Sequence, residues 1–176
     1  MYCCAVSIVL IGYRGSGKST IGKRLADKLW QPFFDTDEAI VAKAGKSIAE
    51  IFAQDGEPAF REIESQVIQE AAKLQEHVIA IGGGALLREE NRRMLKDGGH
   101  RLIYLKCEPT TLHQRIQSDP NTAGSRPNLT ALGGGVAEID KLLAEREPIY
   151  REAMDAELDV SNLSPDEAVV YIVRLL

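Results

Sequence analysis

Residues 12–20 carry glycines, a lysine and hydroxyl groups at the spacing of a phosphate-binding motif. The sequence Gly-Tyr-Arg-Gly-Ser-Gly-Lys-Ser-Thr fits the pattern G-x-x-x-x-G-K-[ST]. Glycines let backbone N–H groups turn toward one anion, and a following helix adds the positive end of its dipole. Lys18 can then reach the β- and γ-phosphates of a nucleotide, and the Ser19 hydroxyl can bind Mg²⁺. The predicted nucleotide-binding residues of this loop are Gly12, Gly15, Ser16, Gly17, Lys18, Ser19 and Thr20.

A glycine-rich turn into a helix is also an ordinary feature of α/β proteins, so the flanking residues decide between the two interpretations. The apolar run at 5–11 predicts a buried parallel strand before the loop. Ile21, Leu25 and Leu29 follow at intervals of four, which predicts a helix after it. This strand–loop–helix context favours phosphate binding.

Two acids lie close together after the second predicted strand, which contains Phe33 and Phe34. Asp35 and Asp37 alternate around Thr36, so in an extended segment both side chains would project the same way. One carboxylate could hold hydrated Mg²⁺, and the other could orient or deprotonate an attacking hydroxyl. The alternative is that these acids only cap the next helix.

Three further sets of residues could bind a charged ligand, although each has an ordinary explanation. Arg61 and Glu64 share a helix face, which more often means a solvated ion pair. The glycines at 82–84 expose backbone N–H groups where a strand ends, or form an unremarkable loop. Arg126 lies in the polar segment 117–135 and could close over phosphates, although arginines in loops are common.

The apolar pattern predicts strands that alternate with helices along the chain. Further strands are expected at 78–81, 102–105 and 158–160, and helical stripes include Ile48 with Ile51, Phe60 with Val67, and Val169 with Ile172. Such alternation indicates an α/β domain with a parallel sheet covered on both faces. Ligands bind such sheets at the carboxyl ends of the strands, where the phosphate loop, the two acids and the glycine turn should meet.

Composition limits the remaining function classes. The chain has 176 residues, 44% of them hydrophobic, which suits one domain over 1–176. Its net charge of −5 gives no basic field for nucleic acid, and no apolar run reaches the length that spans a bilayer. The first residues lack the basic region of a signal peptide, and three cysteines form no disulfide framework, so we expect a cytoplasmic protein. The three histidines are isolated, which predicts structural or surface roles.

In combination, these motifs resemble the shikimate kinase family over nearly the whole chain. The matching positions are 12–19, 35–37, Gly56 with 60–64, 82–84, Arg126-Pro127 and 145–150. The resemblance implies a nucleoside-monophosphate-kinase-like, three-layer α/β/α fold with strand order 2-3-1-4-5. It also implies substrate-binding helices at about 38–75 and a mobile lid at about 117–135. The family transfers the γ-phosphate of ATP to the 3-hydroxyl of shikimate with Mg²⁺, on the pathway to chorismate and the aromatic amino acids.

The resemblance also implies a role for each matching residue. Lys18 and Arg126 would act in phosphoryl transfer, Ser19 and Asp35 would hold Mg²⁺, and Asp37 would bind shikimate hydroxyls as the catalytic base. The remaining substrate-binding residues would be Phe52 and Phe60 as pocket walls, Arg61 and Arg146 on the carboxylate, Glu64 behind Arg61, and Gly82, Gly83 and Gly84 on the ring hydroxyls. Arg115 and Pro165 would sandwich the adenine.

Two other classes of function are alternatives. A gluconate or nucleotide kinase would share the fold, but Asp35, Asp37 and Arg146 in combination favour a carboxylated polyol as acceptor. A nucleotide-switched binding protein is a different class, and the chain lacks the N-K-x-D motif of guanine-binding switches. We therefore expect a monomeric enzyme whose partners are two small molecules, shikimate and ATP.

Overall fold

The computed structural model describes residues 6–118 and 135–176. Its elements follow the chain in the order β1 (Ile8–Ile11), α1 (Lys18–Leu29), β2 (Phe33–Asp35), α2 (Thr36–Ala44), α3 (Ile48–Gln54), α4 (Gly56–Ala71), β3 (Val78–Ala80), a 3₁₀ turn (Ala85–Leu87), α5 (Glu89–Asp97), β4 (Arg101–Lys106), α6 (Pro109–Ser118), α7 (Val136–Ala153), β5 (Ala156–Asp159) and α8 (Pro165–Leu175). None of the helices in the two described ranges is long and apolar enough to cross a bilayer.

The described strands form one parallel sheet in the order β2-β3-β1-β4-β5, as the resemblance predicted. β1 lies at the centre, where Ile8 pairs with Val78 of β3 and with Arg101 of β4. The strand order reverses direction beside β1, and such a switch point is where α/β sheets bind ligands. The loop that follows β1 therefore lies at this switch point, where a ligand is expected to bind.

β1 shows why the fold has three layers. Ile8 and Leu10 pack into an apolar cluster with α1, α6, α7 and α8, whereas Val9 and Ile11 pack into a second cluster with α4, α5 and Tyr150 of α7. All four side chains are buried, because successive residues of a strand point to opposite faces. The predicted sheet with both faces covered is confirmed.

Helices α2, α3 and α4 form a separate apolar cluster beside the sheet. Ile40, Ile48, Ile51, Phe60 and Val67 are its buried members. Ser47 and Glu50 make a capping box at the start of α3, and Gly56 separates α3 from α4 with a positive φ of 83°. This unit stands at the edge of the sheet where β2 ends.

Several predicted boundaries differ from the structure. The segment after β2 is not extended, because α2 begins at Thr36 and the Asp35 carboxylate caps it by accepting a hydrogen bond from the Asp37 N–H. The pattern also missed α5, whose charged sequence Glu-Glu-Asn-Arg-Arg-Met-Leu-Lys-Asp buries only Asn91 and Leu95.

Candidate active site

The loop after β1 presents an open helix N-terminus. Gly12, Gly15 and Gly17 have φ values of 143°, 85° and 90°, which side chains with a Cβ rarely adopt. No side chain caps α1, so its first N–H groups are available for an anion. The Lys18 Nζ donates hydrogen bonds to the carbonyls of Gly12 and Tyr13 at 2.9 and 2.8 Å, so the ammonium lies over the loop.

A cavity of about 480 Å³ adjoins this loop at the carboxyl edge of the sheet. The loop and the two acids line one part of it, whereas Arg115 of α6 and Pro165 of α8 line another. Its lining residues are Arg14, Gly15, Gly17, Lys18, Ser19, Thr20, Ile21, Asp35, Asp37, Ala80, Ile81, Gly83, Arg115, Ser118, Leu163 and Pro165. One opening thus brings together residues from five separate stretches of the chain.

Asp35 joins the phosphate loop to the start of α2. One of its oxygens accepts a 2.6 Å hydrogen bond from the Ser19 hydroxyl, and the other accepts the Asp37 N–H at 2.9 Å. Capping and ligand binding are therefore compatible roles for Asp35. A hydroxyl and a carboxylate side by side in the cavity are hard oxygen donors, which fit Mg²⁺ and its need for only one or two protein ligands.

The glycine turn after β3 packs directly against the phosphate loop. The Gly82 N–H donates to the buried Thr36 hydroxyl at 3.0 Å, which ties the turn to α2. A Cβ on Gly83 would lie 3.1 Å from the Gly12 carbonyl oxygen and 3.3 Å from the Arg14 nitrogen. Because both neighbours are backbone atoms, only glycine lets the turn and the loop approach this closely.

Arg61 reaches the same turn from α4. Its guanidinium donates to Glu64 at 2.7 Å and to Glu57 at 3.1 Å. The exposed fraction is 14% for the Arg61 side chain and zero for Glu64, so this is not the solvated pair that the spacing alone suggests. A Cβ on Gly84 would lie 2.8 Å from an Arg61 nitrogen, which places the guanidinium against the turn.

Burial and the neighbouring carboxylates have opposite effects on the pKa of Arg61. Burial alone would lower the pKa of its guanidinium, but the charge and hydrogen bond of Glu64, with a further contribution from Glu57, raise the pKa above its ordinary value. The group is therefore a permanent cation. A carboxylate ligand at the turn would meet a positive charge of fixed position.

Arg146 lies on α7 and reaches the phosphate loop. It is buried, and its guanidinium lies 5.5 Å from the centre of the Tyr13 ring in the phosphate loop. One helical turn later, the Tyr150 hydroxyl donates a hydrogen bond to the Gly83 carbonyl. Arg61 thus contacts the turn directly, whereas Arg146 lies against the phosphate loop and shares its helix with Tyr150, which is bonded to the turn.

The predicted aromatic wall differs between its two members. Phe52 is partly exposed and its ring centre lies 4.7 Å from that of Phe60, which has no exposed surface. The Arg61 guanidinium in turn lies 5.3 Å from the Phe60 ring centre. Phe60 therefore supports Phe52 and Arg61 from beneath and, in this conformation, does not form the surface of a pocket.

At the far part of the cavity, Arg115 is held by the end of β5. Its guanidinium donates to the Val160 carbonyl at 2.8 Å, and Leu163 and Pro165 line the cavity beside it. Leu163 also packs against the core cluster on that face of the sheet. Arg126 and most of the predicted lid lie outside the described residues.

Three residues at this site were not among the predicted ones. Thr36 stands between the two acids, and only the hydrogen bond that its buried hydroxyl accepts from the Gly82 N–H reveals its role. Arg14 occupies a variable position of the loop motif, yet it lines the cavity. Tyr150 is the last residue of the matching segment 145–150, and the family resemblance gave it no role. Residue type alone carries no signal for these contacts, since all three depend on the tertiary arrangement.

A phosphate loop at the switch point of a parallel sheet, with acids and arginines at the same edge, defines the class of P-loop kinases that phosphorylate small molecules. The shikimate kinase family model matches residues 14–176. A shikimate kinase from Rhodopirellula baltica is 41% identical over 95% of this chain and 88% of its own length, and one from Rhodococcus jostii is 41% identical over 98% of each. The chain belongs to the shikimate kinase family.

Solved structures agree with this assignment. A shikimate kinase from Acinetobacter baumannii, crystallised in complex with shikimate, superposes with a TM-score of 0.88 and 32% sequence identity. The match covers 97% of this chain and 92% of that one. The similarity therefore extends over the whole fold and is not confined to the phosphate loop.

Proposed function

We propose that this chain transfers the γ-phosphoryl group of ATP to the 3-hydroxyl of shikimate, in the presence of Mg²⁺. The observation that carries the proposal is the position of two arginines beside the phosphate loop, since Arg61 contacts Gly84 of the adjoining glycine turn and Arg146 lies against Tyr13 of the loop itself. Two forked cations suit a carboxylate, because each guanidinium can donate two parallel hydrogen bonds. A carboxylated acceptor held there would lie next to the phosphate end of the cavity.

The nucleotide would occupy the cavity from the phosphate loop toward α6 and α8. N–H groups of the loop and of α1 would hold its phosphates, and Lys18 would leave the Gly12 and Tyr13 carbonyls to reach the β- and γ-oxygens. Arg115 and Pro165 would flank the base. Ser19 and Asp35 would hold Mg²⁺, which neutralises phosphate charge when it is bound. Arg126 is proposed to cover the phosphates from the lid.

Asp37 would act on the acceptor. Its carboxylate lines the cavity near the start of α2, where it can take the proton of the 3-hydroxyl. The freed oxygen forms a bond to the γ-phosphorus as the bond from that phosphorus to the bridging oxygen breaks, and ADP leaves with the electron pair. The transfer is direct, so the configuration at a chiral γ-phosphorus should invert, and retention would contradict this mechanism.

A panel of acceptors tests the substrate. A coupled ADP-release assay with shikimate, gluconate and nucleoside monophosphates should give turnover with shikimate alone. Turnover confined to gluconate or a nucleotide would replace the proposal with a different kinase of the same fold. ATP binding without transfer to any acceptor would favour a nucleotide-dependent binding protein.

Two further features are proposed on the sequence alone. We expect the protein to be cytoplasmic and monomeric, and sedimentation at micromolar concentration would test the second expectation. The division into substrate-binding helices at about 38–75 and a lid at about 117–135 also stays a prediction. Hydrogen exchange in the lid that is unaffected by ATP plus shikimate would contradict closure.

A further inference from the structure

Tyr150 lies between helix α7 and the glycine turn at residues 82–84, on the side of the site proposed to bind the acceptor. It lies on α7 four residues after Arg146, so both side chains share one face of the helix. Its side chain is 2% exposed, and its ring packs against Tyr104 of β4 with 5.1 Å between ring centres. The hydroxyl is the only polar atom that this side chain brings into the space between α7 and the turn.

The hydrogen bond between the Tyr150 hydroxyl and the glycine turn has a fixed direction. A carbonyl oxygen can only accept, so the hydroxyl proton is donated to Gly83. Burial raises the pKa of Tyr150, and the positive charge of Arg146 lies close enough to act in the opposite direction. The Tyr150 hydroxyl is therefore bonded to the turn and lies near the Arg146 guanidinium.

Tyr13 holds the same guanidinium from another direction. Its ring belongs to the phosphate loop and lies 5.5 Å from the Arg146 carbon that bears the three nitrogens. Tyr13 is 3% exposed and Arg146 is 8% exposed, so little solvent competes for these contacts. Arg146 is therefore confined by the loop on one side and by Tyr150 on another.

We propose that Tyr150 is a positioning residue for the acceptor, because it fixes the Arg146 guanidinium relative to the glycine turn. The inference rests on the proposed function, in which Arg146 binds the acceptor carboxylate and residues 82–84 contact the acceptor ring. Tyr150 itself does not line the cavity. It acts through two groups that are proposed to touch the acceptor.

Replacing Tyr150 by phenylalanine keeps the ring and removes only the hydroxyl. The change leaves the Gly83 carbonyl without this partner in a buried space and removes the oxygen that lies near the Arg146 charge. Because an unpaired buried carbonyl and a less firmly held guanidinium would both disturb the acceptor side of the site, we expect the KM for shikimate to rise about tenfold or more. The KM for ATP should stay within about twofold, since no nucleotide contact is lost. Tyr104→Phe removes a neighbouring buried hydroxyl that touches neither group, and it serves as the control.

A double-mutant cycle separates positioning from general stability. Arg146→Lys already removes the forked donors, so adding Tyr150→Phe to it should raise the KM for shikimate by less than about twofold. If the fold-increases in the shikimate KM of the two single variants multiply in the double variant, the inference is overturned. A shikimate KM that is unchanged in Tyr150→Phe, or KM values for ATP and shikimate that rise equally, would also overturn it.

Wild-type measurements keep the test independent of how well the variant folds. With the tyrosines labelled at the ring carbon that bears the hydroxyl, the Tyr150 signal should move when shikimate binds and stay in place when ADP binds alone. A signal that ignores shikimate would overturn the inference. A wild-type enzyme that turns over ATP with another acceptor only would instead overturn the proposed function on which the inference depends.

Discussion

Replacing Glu64 by glutamine removes the buried negative charge that balances Arg61. The Glu64 side chain has no exposed surface, and its carboxylate lies 2.7 Å from the guanidinium. Loss of one partner from a buried ion pair costs about 3–5 kcal/mol, because the other charge stays in a poorly solvated place. Arg61 is 14% exposed and keeps its contact with Glu57, so we expect the lower end, about 3 kcal/mol.

Thermal unfolding measures this loss. For a chain of this length, about 1 kcal/mol lowers the Tm by about 2–4 °C, so Glu64→Gln should lower it by about 6–12 °C. Glu57→Gln is the matched control, because Glu57 pairs with the same guanidinium at 3.1 Å but is 60% exposed. An exposed partner is worth less than about 1 kcal/mol, so the control should unfold within a few degrees of the wild type.

The same pair of variants gives a kinetic prediction. Without Glu64, the Arg61 guanidinium is no longer held against Gly84, so the KM for shikimate should rise while the KM for ATP does not. Equal losses of Tm in Glu64→Gln and Glu57→Gln would refute the electrostatic reasoning. An unchanged KM for shikimate in a variant that has lost stability as expected would show that Arg61 does not bind the acceptor.

Three further changes test other parts of the site and the fold. Gly84→Ala places a methyl group 2.8 Å from an Arg61 nitrogen, so kcat/KM for shikimate should fall about tenfold or more with little change in Tm, and normal kcat/KM would contradict this placement. Asp37→Asn should leave ATP affinity intact and lower kcat by about 10²–10⁴-fold in the coupled assay, whereas an unchanged kcat would exclude Asp37 as the base. Burial lowers the pKa of His100 below its ordinary value of 6.5, so the unfolded chain takes up a proton that the folded chain does not. Stability should therefore fall as the pH drops below about 6.5, and less so in His100→Gln; equal pH dependence in the two proteins would contradict this sign.

The sequence was sufficient to predict the central sheet and the phosphate loop. Continuous apolar runs identify buried strands, and β1 shows such a run directly before a glycine loop. The start of α8 is also marked locally, because Ser164 and Glu167 have the spacing of a capping box and form one in the structure. These features are local, because each depends only on residues that are close to one another in the sequence.

Features that depend on distant residues could not be predicted in this way. The sequence of the residues that follow β2 is compatible with either an extended segment or a helix. The structure has the helix α2, and Asp35 there accepts hydrogen bonds from the Ser19 hydroxyl and from the Asp37 N–H. Whether Arg61 and Glu64 are solvated depends on what packs over α4, which their spacing does not encode. α5 carries too few apolar residues to produce a clear stripe.

The residue roles at the site came from the family resemblance more than from residue chemistry. Arg61 and Arg146 are far apart in sequence, and only the fold brings one to Gly84 and the other to Tyr13 of the phosphate loop. The hydrogen bonds of Tyr150 and Thr36 with the glycine turn at residues 82–84 leave no signal in the sequence. A tyrosine or threonine whose hydroxyl is buried cannot be told from an exposed one by residue type.

The position of the transferred phosphate tests the central claim most directly. Wild-type protein incubated with ATP, Mg²⁺ and shikimate should convert both substrates to ADP and one phosphorylated product. In phosphorus and proton NMR spectra, the phosphate of that product should couple to the proton on carbon 3 of the shikimate ring. Phosphate on another hydroxyl, or ATP hydrolysis without a phosphorylated product, would contradict the account.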